Sequence, residues 1–271
     1  MARQPEPLSL TPSRNPLLHT TLHLATQLTN GVVDAFNKRR PSRRFNCPVC
    51  SRSTMFSPVY STTGTRLHAR CPHCGSLERH RLQAHVVKSV LIPRFSANPP
   101  RVLHVAPEAG LAPSLKSLAS SYRTADAVMP GVDDHVDLRS LPYDSASFDL
   151  VYASHVLEHI DDDVAALGEI HRILAPGGVA VLPVPLVVEN TVEYESPNPF
   201  EAEHVRAPGP DYFDKYKKVF ANVEVVWSHD APTSIQPFVL EDRSSWPTHT
   251  MPDRSPSGGA VHEDAVPLCW V

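Results

Sequence analysis

Four of the five cysteines fall in two close pairs, Cys47-Pro-Val-Cys50 and Cys71-Pro-His-Cys74, with twenty residues between them. Two C-x2-C pairs joined by a hairpin-length segment gather four thiolates around one point, the donor set of a tetrahedral Zn²⁺. Two disulfides are the alternative, disfavoured in an intracellular chain; a redox dithiol needs only one pair. Four sulfurs close the coordination, so the expected ion holds the fold and does not activate water. His68 and His73 stand beside the set as bystanders. Arg79-His80-Arg81 open the next segment, where Leu77, Leu82 and Val86 can share a helical face. Such a basic cluster either contacts an anionic ligand or lies on a solvated face. The fifth thiol, Cys269, has no partner in the pattern and reads as a core residue.

The positions of charge divide the chain. Residues 1–100 carry 14 Lys+Arg against 3 Asp+Glu, and the remaining residues carry 11 against 26. A basic half can be an electrostatic footprint for a polyanion, or it can dock on the acidic half. No apolar run reaches the roughly 18 residues of a membrane span, and Met1 to Pro16 lacks the apolar centre of a secretory signal, so a cytoplasmic chain is expected. Asn15-Pro16 reads as a helix start, and Leu18, Leu22, Ala25, Leu28, Val32 and Phe36 form one stripe ending at Lys38-Arg39-Arg40. Its polar face of Thr, His and Gln suits a packing helix better than a transit peptide or membrane-surface anchor.

From residue 101 strand and helix patterns alternate. Arg101 to Ala106, Tyr122 to Asp126, Phe148 to Ser154, Val179 to Val184 and Asn222 to Trp227 read as strands. Helices are expected over Leu111 to Ser120, Asp161 to Leu174, where Pro176-Gly-Gly178 would end the helix, and Asp211 to Phe220. Val266 to Val271 is expected as a last edge strand, Pro267 being tolerated there. The alternation predicts an α/β fold with a Rossmann-like, doubly wound, mostly parallel sheet, whose ligands sit beyond the carboxyl ends of the strands. The expected organisation is a leader and amphipathic helix over 1–44, a zinc ribbon with its basic helix over 45–98, and the α/β domain over 99–271, with a Pro-rich surface excursion at about 230–260.

The ordered series Val102-Leu-His-Val-Ala-Pro-Glu-Ala-Gly110, Asp126, Val136-Asp-Leu138, Leu141-Pro-Tyr-Asp-Ser-Ala-Ser-Phe-Asp-Leu-Val, Ser154-His-Val-Leu-Glu-His-Ile160 and Leu174-Ala-Pro-Gly-Gly178 resembles class I S-adenosylmethionine (SAM)-dependent methyltransferases, more narrowly the type 11 group. The resemblance spans about residues 101–227 and implies a seven-stranded sheet. A ribbon reading much like Cys71-Pro-His-Cys-Gly-Ser-Leu-Glu-Arg-His-Arg precedes this domain in similar methyltransferase-like proteins. The resemblance implies that the turn His104, Ala106, Pro107, Glu108 and Gly110 meets the methionine end of the cofactor, that Asp126 accepts the ribose hydroxyls, that Asp137 and the Leu138 backbone hold the adenine, and that Ser154 lines the site. His155 is the leading candidate base, then His204; Tyr194 and Arg206 are candidate acceptor contacts. His159 and Glu158, one turn further on, read as packing or turn residues. The family's turn usually carries an acidic residue and Gly-x-Gly, of which this chain keeps only Gly110; Glu108 would compensate by pairing with the cofactor's amino group.

Methyl transfer to a small-molecule acceptor, such as a specialised metabolite, is the leading expectation. Alternatives are RNA methylation with the basic ribbon as docking surface, SAM chemistry other than methyl transfer, and a catalytically silent interaction module. RNA docking is not favoured, because the Asn/Asp-Pro-Pro-aromatic tetrapeptide and a nearby catalytic Cys are both missing. No membrane partner is expected, and a homodimer is left open.

Overall fold

The computed structural model describes residues 44–61, 64–244, 246 and 260–271. The amphipathic stripe from Leu18 to Phe36 and, in the Pro-rich stretch, residues 245 and 247–259 lie outside them. The ribbon begins with β1 (Phe45–Asn46) and β2 (Ser53–Thr54), paired antiparallel, then the hairpin β3 (Ser57–Ser61) and β4 (Gly64–Arg70). Helix α1 (Glu78–Val86) runs on through a π-turn (Val87–Leu91) to Ile92–Arg94. Pro93 cannot donate a backbone bond and its ring crowds the preceding turn, which the wider turn relieves.

The α/β part then follows as β5 (Arg101–Val105), α2 (Ala112–Leu118), β6 (Ser121–Asp126), β7 (Asp134–His135), β8 (Phe148–Ala153), α3 (Asp163–Ile173) and β9 (Leu174–Val181). A hairpin comes next, β10 (Val192–Asn198) and β11 (His204–Ala207), in the polar segment where sequence pattern indicates no strand. Helix α4 (Phe213–Lys217), β12 (Asn222–Trp227), β13 (Val239–Glu241), β14 (Val261–His262) and β15 (Ala265–Trp270) complete the chain.

The large sheet has seven strands in the order β12-β15-β9-β8-β5-β6-β7, parallel from β9 to β7, with β15 antiparallel to both neighbours. Its strands alternate between two apolar layers. Leu103, Val105, Val151, Ala153 and Ala180 face α3 and α4, whereas Val102, Leu150, Tyr152, Val179 and Val181 face α1 and α2. Side chains with period two covered on both faces are what a doubly wound sheet requires.

Three local expectations are corrected. Strand β15 is interior, not an edge. Leu182 N–H donates to the Pro267 carbonyl just past the end of β9, so the prolyl nitrogen faces a place where no β9 donor-acceptor pair is required. Gly177 and Gly178 do not end a helix, since α3 stops at Ile173 and both glycines lie within β9. A Cβ on Gly178 would come 2.8 Å from the Ala175 carbonyl oxygen, which excludes a side chain. Finally, the stretch after residue 230 is not all surface excursion: β13 and β14 join the ribbon hairpin in one sheet ordered β14-β13-β4-β3.

Arg81 is where these pieces meet. Its side chain is fully buried and its guanidinium donates to the carbonyls of His68, Ala69, Ser76, Ile235 and Gln236 at 2.6–3.2 Å, while lying 4.1 Å from the Phe56 ring centroid. Burial pulls its pKa down to about 10, which still leaves it charged at neutral pH. Substituting Arg81→Met would strand these acceptors in the interior. We expect a loss of about 3–5 kcal/mol, read by denaturant unfolding of the zinc-loaded chain; a loss below about 1 kcal/mol would contradict the role given to this side chain.

Candidate functional site

The two C-x2-C turns are built alike. Ser51 N–H donates to the Cys47 carbonyl and Gly75 N–H to the Cys71 carbonyl, and both turns end in a left-handed residue, Ser51 at φ 59° and Gly75 at φ 77°. The sulfurs of Cys47 and Cys74 are 3.6 Å apart, those of Cys50 and Cys71 3.8 Å. Tetrahedral zinc with bonds of about 2.3 Å places its sulfurs about 3.8 Å apart, so Cys47, Cys50, Cys71 and Cys74 fit that ion. Ser76 Oγ, 3.2 Å from two of the sulfurs, adds an outer contact. Neither histidine joins the set: His68 packs on Phe45 and His73 Nδ1 meets the Arg52 guanidinium at 3.3 Å.

A cavity of about 1080 Å³ opens beyond the carboxyl ends of β5, β6 and β8, where the strand order reverses. It is lined by Ala106, Asp126, Asp137, Leu138, His155 and Tyr194 among others. Doubly wound sheets bind ligands at this switch point, and the volume suits a nucleoside-sized group. Asp126 ends β6, its Oδ1 accepting the N–H groups of Val128 and Met129 at 2.8 and 2.7 Å. That turn fixes the carboxylate at the cavity wall. Asp137 is less free than expected. Arg139 donates to both of its oxygens and reaches Asp161 at 2.6 Å, so the three residues form a charged rim. The same contacts hold the Asp137 carboxyl below its usual range. Ala106 has φ 47°, so the turn keeps a glycine-like backbone with an alanine side chain.

Other expected cofactor contacts lie elsewhere. His104 is buried on the α1/α2 face, its Nδ1 2.8 Å from the Tyr122 hydroxyl, and burial lowers its pKa to about 4, leaving it neutral. Pro107, Glu108, Gly110 and Ser154 do not line the cavity. Glu108 turns to α1, with His80 Nε2 at 2.9 Å and Arg79 at 3.5 Å. Burial works against its charge, but the His80 hydrogen bond and the neighbouring cations bring its pKa down to about 2. The alteration of the turn thus serves the joint with the ribbon helix. Of the three basic residues, His80 and Arg81 are taken up by contacts within the protein, and Arg79 pairs with Glu108.

A second cavity of about 490 Å³ adjoins the first, with His155 and His159 in the walls of both. Arg66, Glu78, Arg79, Val239, Glu241 and Arg243 also line it, so ribbon and C-terminal residues share its walls with the α/β part. His155, at φ 55°, is pinned by its N–H to the Pro183 carbonyl. Its Nδ1 is 3.3 Å from Glu158, and its buried Nε2 has no partner. His204 lines only this second cavity. Tyr194 lines the first, its hydroxyl donating to Glu201. Arg206 lines neither: it is buried, and it donates to the carbonyls of Leu157, Ile160 and Asp161 and to Glu193. It is a clamp on the segment carrying Glu158 and His159, not an acceptor contact. Glu158 itself is fully buried between the histidines, a position its place in Leu157-Glu-His could not disclose.

A parallel sheet with a carboxylate at the switch-point cavity defines a nucleotide-type binding fold. Residues 110–182 match the family model described as a methyltransferase domain. The chain is 45% identical over 47 residues to the demethylmenaquinone methyltransferase of Staphylococcus epidermidis, which covers 17% of this chain and 20% of that protein. It is 30% identical over 115 residues to the 27-O-demethylrifamycin SV methyltransferase of Amycolatopsis mediterranei, covering 42% and 39%. These alignments span between a fifth and two fifths of the relatives' length. A SAM-dependent methyltransferase from Archaeoglobus fulgidus superposes with a TM-score of 0.45 at 14% identity, covering 72% of this chain and 95% of that one. No helix among the described residues is long and apolar enough to cross a membrane.

The Glu108 pair predicts a pH dependence. A carboxyl depressed in the folded state stabilises above its unfolded pKa of about 4.3 and loses that contribution as pH falls toward 2. At about pH 5 the stability difference between wild type and Glu108→Gln should be of order 3 kcal/mol, and it should shrink as pH falls toward 2. Paired denaturant titrations cancel acid effects common to both proteins, and a pH-independent difference would contradict the assignment.

Proposed function

We propose that the protein is a SAM-dependent methyltransferase acting on a small molecule, with a structural zinc in its ribbon. The observation that carries the reading is the switch-point cavity with Asp126 fixed at its wall, within a segment matching a methyltransferase domain. Asp126 would take the ribose hydroxyls, Leu138 and the Asp137 rim the adenine, and Ala106 the approach of the methionine end. SAM bound there supplies an electrophilic methyl group. The chain's part is to align an acceptor with that group and to exclude water. His155, in the wall of both cavities, is the side chain we assign to contact the acceptor as it enters from the second cavity.

A volume of about 490 Å³ suits a small acceptor, and the relatives' names specify small-molecule substrates. The commitment of Arg66 to Glu78, of Arg79 to Glu108 and of Arg81 to backbone carbonyls supports this reading over RNA docking. The four sulfurs would hold zinc in a closed shell that stabilises the ribbon. Because ribbon residues line the second cavity, ribbon and α/β part work as one unit in this proposal.

Isothermal titration of the zinc-loaded full chain with SAM should show binding, weakened about 10–100-fold by Asp126→Ala, the loss of hydrogen bonds to a charged group. No binding by folded wild type would refute the proposal. Mass spectrometry after incubation with cell extract then separates chemistries: the demethylated cofactor marks methyl transfer, and methylthioadenosine marks another bond broken.

A further inference from the structure

Glu158 presents an unusual problem in burial. Its side chain is fully excluded from solvent, yet neither carboxylate oxygen has a well-formed hydrogen bond. The groups around it are imidazoles. His155 Nδ1 lies at 3.3 Å and His204 Nε2 at 4.0 Å, while the His159 and His204 rings meet edge to face with centroids 4.6 Å apart. The only ring nitrogens near this buried carboxylate lie at long range, so little in this arrangement compensates its burial.

We propose that Glu158, His159 and His204 bind a divalent transition-metal ion, a second metal site separate from the four cysteines. One ligand atom from each of the three residues lies within 4.8 Å of the others. Two imidazoles and a carboxylate suit Zn²⁺, Fe²⁺ or Co²⁺ better than Ca²⁺ or Mg²⁺. Bonds of about 2.0–2.2 Å put ligand atoms roughly 3–3.5 Å apart, so the set closes by about 1 Å on binding. His159, the exposed member of the three, would supply that movement by giving up its present contacts.

The surroundings orient the ligands. His204 Nδ1 faces the buried Glu201 carboxylate at 3.6 Å, without a formed hydrogen bond; on metal binding that carboxylate is placed to take the Nδ1 proton's hydrogen bond and leave the other nitrogen to the metal. That leaves Nε2, the atom facing Glu158. The Arg206 clamp on the carbonyls of Leu157 and Ile160 brackets Glu158 and His159 on the backbone. Three protein ligands leave a coordination position open to the second cavity, in contrast to the closed sulfur site.

The site is tested without cofactor or acceptor, so it stands or falls independently of the proposed methyl transfer. Full chain loaded with one equivalent of zinc is titrated with Co²⁺ by calorimetry and absorption. We expect one further equivalent, with no thiolate charge-transfer band. Its affinity should fall at least about 10–100-fold in His159→Ala and in Glu158→Gln, since even outer-sphere partners cost that much. Circular dichroism verifies the fold, and the exposed His159 keeps the test valid if the buried variant fails. Absence of a second equivalent in wild type, or undiminished uptake by folded His159→Ala, overturns the proposal.

Discussion

The buried guanidinium of Arg81 is the contact on which the arrangement of this protein depends. It satisfies carbonyls from the second cysteine turn, the ribbon hairpin and a segment 154 residues further along the chain. A charge in that position would be costly alone. Glu78 and the sulfurs of Cys47, Cys71 and Cys74 offset it electrostatically. With the proposed zinc bound, four thiolates would carry net negative charge, so that site and the guanidinium would each make the other's burial less costly. The ribbon is thereby joined to α1, and α1 to the large sheet through Tyr152, whose hydroxyl donates to Gln83.

From that joint follows the shape of the candidate site. Docking of the ribbon brings Arg66, Glu78 and Arg79 to the second cavity, and the turn after β5 sends Glu108 to His80 instead of toward the first. His155 stands where the cavities meet, held there by a left-handed backbone and a bond to Pro183. Arg206 repeats the theme of Arg81 on the other side of the sheet. A buried cation gathers the carbonyls around Leu157–His159 and so fixes the side chains that segment presents. Backbone acceptors bound by arginine give these walls a rigidity that surface loops lack.

Much of this was legible in the residues. Buried parallel strands read as continuous apolar runs, so the α/β layering is visible in segments such as Val102 to Val105 and Phe148 to Ala153. The cysteine spacing carries its geometry with it, because ligands in two short turns need no distant partner. The rest depended on contacts far apart in sequence. Arg81 and Arg206 look like solvent-facing or ligand-facing cations until the carbonyls they bind are known. Strand β13 is three residues long and finds its partner only in the ribbon. Pro267 suggested an edge because the end of β9 at Val181, just short of the residue opposite the proline, has no sequence signature. Glu158 and His159 read as turn residues, since only the approach of His204 from β11 gives them chemistry.

The central claim is that SAM occupies the switch-point cavity while the ribbon forms part of a separate wall. Hydrogen–deuterium exchange of the full chain with and without S-adenosylhomocysteine tests it most directly. The account predicts slowed exchange at Ala106, at Val128 and Met129 after β6, and at Leu138, Arg139 and His155, with the cysteine turns at 47–51 and 71–75 unchanged. Protection confined to the ribbon, or none at the ends of β5 and β6 under saturating ligand, would contradict it.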